Sequence, residues 1–224
     1  MKRVALGLLI AASAACSKPI PPGPEAGEAY FKALNCRSCH RVGADGGVSG
    51  PDLTTVGFRH SKPWLDAWLA NPQGWKPDTL MPNPHLAAGA RAGVVEYLST
   101  LKGQSWNGSP PWVGASGVDE GRLIFEKAGC VACHGRGGVG GSPNNNVKGN
   151  KIPALDVVSQ TYTKDELVKK ISRGVKPEKA DPNGPEPLVF MPPWGEMLKP
   201  DEISAVADYL LTLKRAGGEP GPGF

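Results

Sequence analysis

Cys36-Arg37-Ser38-Cys39-His40 and Cys130-Val131-Ala132-Cys133-His134 repeat one pattern, C-x-x-C-H, 94 positions apart in a chain of 224 residues. Two thiols separated by two residues reach the same edge of a porphyrin and add across its vinyl groups. The adjacent His then lies under the iron, so the spacing is that of c-type haem attachment. Cys36, Cys39, Cys130 and Cys133 are therefore the expected points of attachment for two covalent haem c groups, with His40 and His134 as proximal ligands. Zinc ribbons place their Cys pairs about 15–20 residues apart, far closer than these. A redox dithiol expects strand–helix alternation, which neither motif shows.

The chain opens with a basic Met1-Lys2-Arg3, an apolar stretch Val4 to Ala12, small residues Ser13-Ala14-Ala15, and Cys16. This reads as an export signal over 1–16, too short to persist as a membrane span. Cys16 is the one thiol that the haem motifs do not use. Its place after small residues resembles the lipidated Cys of bacterial lipoproteins, although Ser13 stands where their motif usually has Leu; a plain secretory cut after Ala14 or Ala15 is the simpler alternative. Residues 17–26 are Pro-rich and suit an extended tether. Export agrees with haem attachment, which in bacteria implies the periplasmic side of the membrane.

The formal charge is +4, and without Lys2 and Arg3 it falls to 23 basic against 21 acidic groups. That near-neutral balance gives no argument for nucleic acid. The 208 residues after the signal allow two domains of about a hundred each.

The chain also repeats itself. At an offset of 94, Gly27 matches Gly121 and Phe31 matches Phe125. At 102, Pro51 and Leu53 match Pro153 and Leu155, and Leu65 and Leu69 match Leu167 and Ile171. Met81 matches Met191 at 110, and Tyr97 matches Tyr209 at 112. The second copy is the first with two eight-residue insertions and one of two residues. The reading is two domains, 27–102 and 118–215, with a linker over 103–117 and a disordered tail over 216–224.

Helices are expected throughout. Residues 25–35 and 119–128 run into the two motifs, Pro63 suits the first turn of a short helix, and Thr163-Lys164-Asp165-Glu166 is a capping box. Val94, Val95, Leu98 and Leu101 recur at helical spacing, as do Ile203, Val206, Leu210 and Leu213. No run alternates as a strand, so the expected class is all-α.

Met81 and Met191 each precede a Pro and the last helix of their copy. A thioether is a soft, neutral ligand that raises a haem's potential, and repeated placement marks both as expected sixth ligands. Met197 has no counterpart and reads as packing. His60 and His85 are the histidines outside the motifs. Either would make the first haem bis-His in place of Met81, but neither recurs in copy two, and lone histidines are usually structural or surface groups.

The matched Gly27, Phe31, Pro51, Met81-Pro82 and Tyr97, and again Gly121, Phe125, Pro153, Met191-Pro192 and Tyr209, resemble class I cytochrome c twice over. The tandem is most similar to the cytochrome c4 type, from which a lipid anchor and the insertions depart. The resemblance implies that first and last helices cross at the Gly and aromatic positions. It also implies a carrier of single electrons and no enzyme, tethered to a bacterial membrane. Its partners would be a quinol-oxidising complex or dehydrogenase on one side and a terminal oxidase or reductase on the other. A dihaem peroxidase, needing one labile sixth position, is the alternative. Lys164, Lys169, Lys170, Arg173, Lys176 and Lys179 invite an acidic partner, but Asp165, Glu166, Glu178 and Asp181 among them favour an ordinary solvated face.

Overall fold

The computed structural model describes residues 23–214; the signal, Cys16, most of the tether and the tail lie outside the described residues. The first half contains α1 (Pro24–Ala33), a two-residue antiparallel ladder of β1 (Arg41–Val42) with β2 (Asp45–Gly46), α2 (Val56–Arg59), α3 (Lys62–Ala70), α4 (Pro72–Trp75) and α5 (Ala88–Thr100). The second contains α6 (Gly117–Ile124), α7 (Val131–His134), α8 (Lys164–Arg173) and α9 (Pro200–Thr212). The all-α expectation holds, with the small ladder the exception to a strand-free reading.

Each half is built around one close helix crossing, α1 on α5 and α6 on α9. A Cβ on Gly27 would lie 1.9 Å from the Gly93 carbonyl oxygen, and one on Gly121 would lie 1.9 Å from that of Ala205. Only glycine lets the backbones approach this far. One turn further along, Phe31 meets Tyr97 at 5.4 Å between ring centroids, and Phe125 meets Tyr209 at 5.4 Å. The interplanar angles are 54° and 55°, so the duplication is geometric as well as sequential. Two apolar cores follow, one on Phe31, Leu65, Val94 and Leu98, the other on Ile124, Phe125, Leu167, Ile203 and Leu210.

Local rules explain most boundaries. Ser61 caps α3 by accepting from Trp64 N, and Thr163 and Glu166 close the expected box on α8, Thr163 N donating to Glu166 Oε2 at 2.8 Å. α1 begins at Pro24, inside the stretch read as tether, because proline suits a first helical turn. Leu34 is exposed just past the end of α1. In the second half α6 widens into a π-turn over Phe125–Gly129 before reaching the motif.

The 103–117 stretch is tied into the fold. Trp112 is buried in the second core, packs edge-on against Trp106 at 4.9 Å and donates its indole N–H to Glu202 Oε1 at 2.7 Å. The other carboxylate oxygen accepts from Lys199 N at 2.7 Å, which satisfies a buried acid at the start of α9.

The halves touch through the loop–helix segment 54–60. Phe58 packs edge-on against Trp194 at 5.2 Å, and Thr55 Oγ1 donates to the Ala128 carbonyl at 2.6 Å.

Candidate functional site

Both motifs are entered in the same way. The residue before the first Cys is left-handed in each half, Asn35 at φ 57° and Gly129 at φ 101°, and Asn and Gly are the residues that accept this conformation. His40 N bonds the Cys36 carbonyl at 3.0 Å and His134 N the Cys130 carbonyl at 3.0 Å, so each motif is a single tight turn. That turn puts both thiols and the imidazole on one short piece of chain. The four motif cysteines form no disulfide.

His40 Nδ1 lies 2.9 Å from the Pro51 carbonyl. A carbonyl accepts only from the N–H tautomer, which leaves Nε2 with its lone pair available to a metal. A Cβ on Gly50 would lie 2.7 Å from the His40 ring, so the loop bearing Pro51 closes down on the imidazole. In the second half Pro153 takes the matching place beside His134, although His134 Nδ1 stops short of hydrogen-bond geometry. Burial lowers the pKa of His134, with the Pro153 carbonyl acting in the opposite direction. Neutral imidazole is the ligating form.

Met81 packs on the same apolar cluster as Cys36, and Met191 on the same cluster as Cys130. Their backbones are held differently. Met191 makes a two-way bridge with Val175, at 2.9 and 3.0 Å. Met81 is fixed by Gln73, whose side chain donates to its carbonyl at 2.7 Å, and its sulfur accepts from Trp68 Nε1 at 3.0 Å. Met197 sits in the second core, facing Gly103. His85 is exposed, at φ 47°. His60 is buried and stacked on Trp64 at 3.7 Å, so it is a structural group rather than a surface one.

The residues fit a porphyrin. Leu80 is 97% exposed and Val48 76%, beside Met81 and the His40 loop; Val139, Val175 and Phe190 are exposed in the corresponding region of the second half. Large apolar side chains left open around each motif await an apolar body. Buried donors Arg41 Nε and Trp64 Nε1 have no protein acceptor, and propionate oxygens would supply one. Zinc fits less well: among the described residues no three His, Cys, Asp or Glu side chains converge as a metal site.

Sequence reasoning missed Arg59. It is buried, its Nε donating to Thr55 Oγ1 at 3.0 Å and its Nη2 to the Asp52 carbonyl at 2.9 Å. Burial lowers its pKa, while the neighbouring Cys133, Cys130 and Asp52 raise it. Burial pushes the Cys130 thiol up to about 12 against the pull of Arg59. A charged residue at the end of a four-residue helix carries no signal that it reaches the Gly129 carbonyl of the other half.

Fold and motifs together define two all-α domains in tandem, each carrying one C-x-x-C-H motif. The cytochrome c family model matches residues 24–102 and again 118–214, and the chain belongs to the cytochrome c family. It is 31% identical to the Cbb3-type cytochrome c oxidase subunit CcoP of Azospirillum sp. (strain B510) over 144 residues, 60% of this chain and 44% of that protein. It is 29% identical to the FixP subunit of Rhizobium meliloti (strain 1021) over 140 residues, 60% of this chain and 43% of that one. Cytochrome c oxidase subunit 2 of Bacillus subtilis (strain 168) is 34% identical over 94 residues, 35% of this chain and 26% of that protein. The chain thus spans less than half the length of the curated relatives it matches. Among solved structures, the Kuenenia stuttgartiensis reducing HAO-like protein complex Kustc0457/Kustc0458 is similar at 18% identity and a TM-score of 0.31, with 88% of this chain and 100% of that chain covered.

Proposed function

We propose that the chain moves single electrons through two haem c groups, one in each half, held by Cys36, Cys39 and His40 and by Cys130, Cys133 and His134. Met81 and Met191 complete the two irons. The observation that carries this reading is the duplication itself: each half has C-x-x-C-H and a Met-Pro on one apolar cluster. A bound haem c supplies a one-electron couple between ferric and ferrous iron. The chain's own part is to hold the His40 imidazole in the ligating tautomer through the Pro51 carbonyl, with Pro153 in the matching place beside His134. It would also offer a thioether from Met81 and from Met191, each on the apolar cluster of its motif.

The named relatives support respiratory partners, a quinol-oxidising complex or dehydrogenase as donor and a terminal oxidase or reductase as acceptor. Among the described residues no helix is long and apolar enough to cross a membrane. On this reading the protein is exported and held at the periplasmic face of the membrane by a lipid on Cys16. Three basic residues of α8 and the loop after it already have acidic partners, Lys164 with Asp208 at 2.8 Å and Lys176 and Lys179 with Glu186, which favours an ordinary solvated face over docking.

Carbon monoxide added to the fully reduced holoprotein tests the ligation. An unchanged visible spectrum is expected, because both sixth positions are filled. Rapid stoichiometric binding at one haem would overturn the reading in favour of a peroxidase-like enzyme.

A further inference from the structure

We propose that Arg59, a residue of the first half, is the fixed positive charge that holds up the reduction potential of the haem carried by the second half. The inference rests on the reading that Cys130 and Cys133 carry a haem. Arg59 is 4% exposed, and a Cβ on Gly129, the residue before Cys130, would lie 2.6 Å from Arg59 Nε. Its Nη1 lies 3.5 Å from the Gly129 carbonyl. The guanidinium is therefore laid against the backbone from which the second haem hangs.

No protein carboxylate pairs with the charge there. Among the described residues no carboxylate lies within ion-pair distance of Arg59. Asp52 acts on it from further away, and its Oδ1 is engaged by Thr54 N at 2.8 Å. Burying a cation without a paired anion is costly, and Arg is the cation that keeps its proton under that cost. Nor is the charge a general feature of the repeat, because Thr161 stands at the matching place in the second half.

The consequence is electrostatic. Ferric haem carries one more positive charge than ferrous haem, so a nearby buried cation disfavours the ferric form, and little solvent intervenes to screen it. Arg59 does not touch the iron. It is a positioning residue whose field acts on the couple; Thr55 and the Asp52 carbonyl anchor it to the first half, and its Nη1 reaches the Gly129 carbonyl of the second.

Potentiometric titration of the holoprotein with soluble mediators, followed in the visible spectrum, resolves the two couples. Shifted haem methyl resonances assign each couple to its half. Arg59→Met is expected to favour the ferric second haem about tenfold, which is 59 mV for one electron, and to move the first couple much less. Arg59→Lys restores most of the loss. Asp52→Asn, nearly isosteric and still able to accept from Thr54, moves the second couple the opposite way, and this variant decides the matter if Arg59→Met does not fold. Phe58→Leu weakens the aromatic contact between the halves and leaves Arg59 with its partners, so it leaves the second couple in place. An unshifted second couple in Arg59→Met, or an equal drop in Phe58→Leu, overturns the proposal. A pyridine haemochromogen count of one haem per chain overturns the underlying reading instead, and the proposal with it.

Discussion

Arg59 and His60 are neighbours in the chain, and both are buried. The guanidinium keeps its charge on three protein oxygens; the imidazole is placed so that it must stay neutral. Its pKa is pushed well below the ordinary value, first by burial and then by the Arg59 cation. The unfolded chain protonates this His at about 6.5 and the folded one only at lower pH. Between those two values the unfolded state therefore binds more protons, and stability rises with pH. The contribution is complete above about pH 6.5 and is lost as pH falls toward the folded value, at a slope of at most about 1.4 kcal/mol per pH unit. Thermal unfolding of the holoprotein from pH 7 to pH 5 is expected to show this fall in the wild type, and a shallower one in His60→Phe, which keeps the stack on Trp64. An identical slope in the variant would show that His60 is charged when folded. The attachment residues could be read in the sequence because their chemistry fixes their spacing. His60 could not be placed that way, since its burial depends on a tryptophan stack that no local pattern announces.

At the scale of elements, the two eight-residue insertions of the second copy meet each other. Asn144-Asn145-Asn146 lie in one, and the other falls between Ile171 and Met191, where the 180–189 loop runs. Asn144 donates to the Val189 carbonyl at 2.8 Å and accepts from Val189 N at 3.1 Å, and is itself buried. Asn145 pairs in the same two-way manner with Glu186 and Leu188, and Asn146 with Pro185 and Asp181. Side-chain amides thus stand in for a strand partner and fix a loop that ends at Met191. Asn144→Ala would leave both Val189 backbone groups unpaired and cost about 1–3 kcal/mol. Its expected signature is a weakened ferric iron–thioether absorption at the second haem, with the first haem unaffected; loss of stability with that band intact would make the clasp purely structural. The insertions were legible as insertions, because the repeat exposes them. Their mutual contact was not, since each amide finds its partner some forty positions away. Trp112 is a similar case, reaching Glu202 ninety positions on. A Gly/Pro-rich stretch predicts a linker and says nothing about where its tryptophans pack. The helix crossings were legible for the opposite reason: Gly27 and Gly121 announce close approach twice, at the same distance before each motif.

At the scale of the molecule, the question is whether the halves behave as one unit. Phe58 against Trp194 is the apolar part of their contact, and Trp106 packs into the second core from the stretch that joins them. Phe58→Ala removes an aromatic body from that surface. Calorimetry of the holoprotein is expected to resolve one cooperative transition in the wild type and two in this variant, because each half has its own crossing and its own core. A single transition in both would mean that the joining segment, with Trp112 on Glu202, couples the halves without Phe58.

The cover that the first half lays over Cys130 also bears on how the protein is made. A thiol needs to shed its proton, and a synthase needs to reach it, before a thioether can form. Burial pushes the Cys130 thiol up to about 12, and Thr55 and Arg59 of the other half bond the Ala128 and Gly129 carbonyls just before it. On the proposed reading, the second motif is easier to load with haem before the first half closes against those carbonyls.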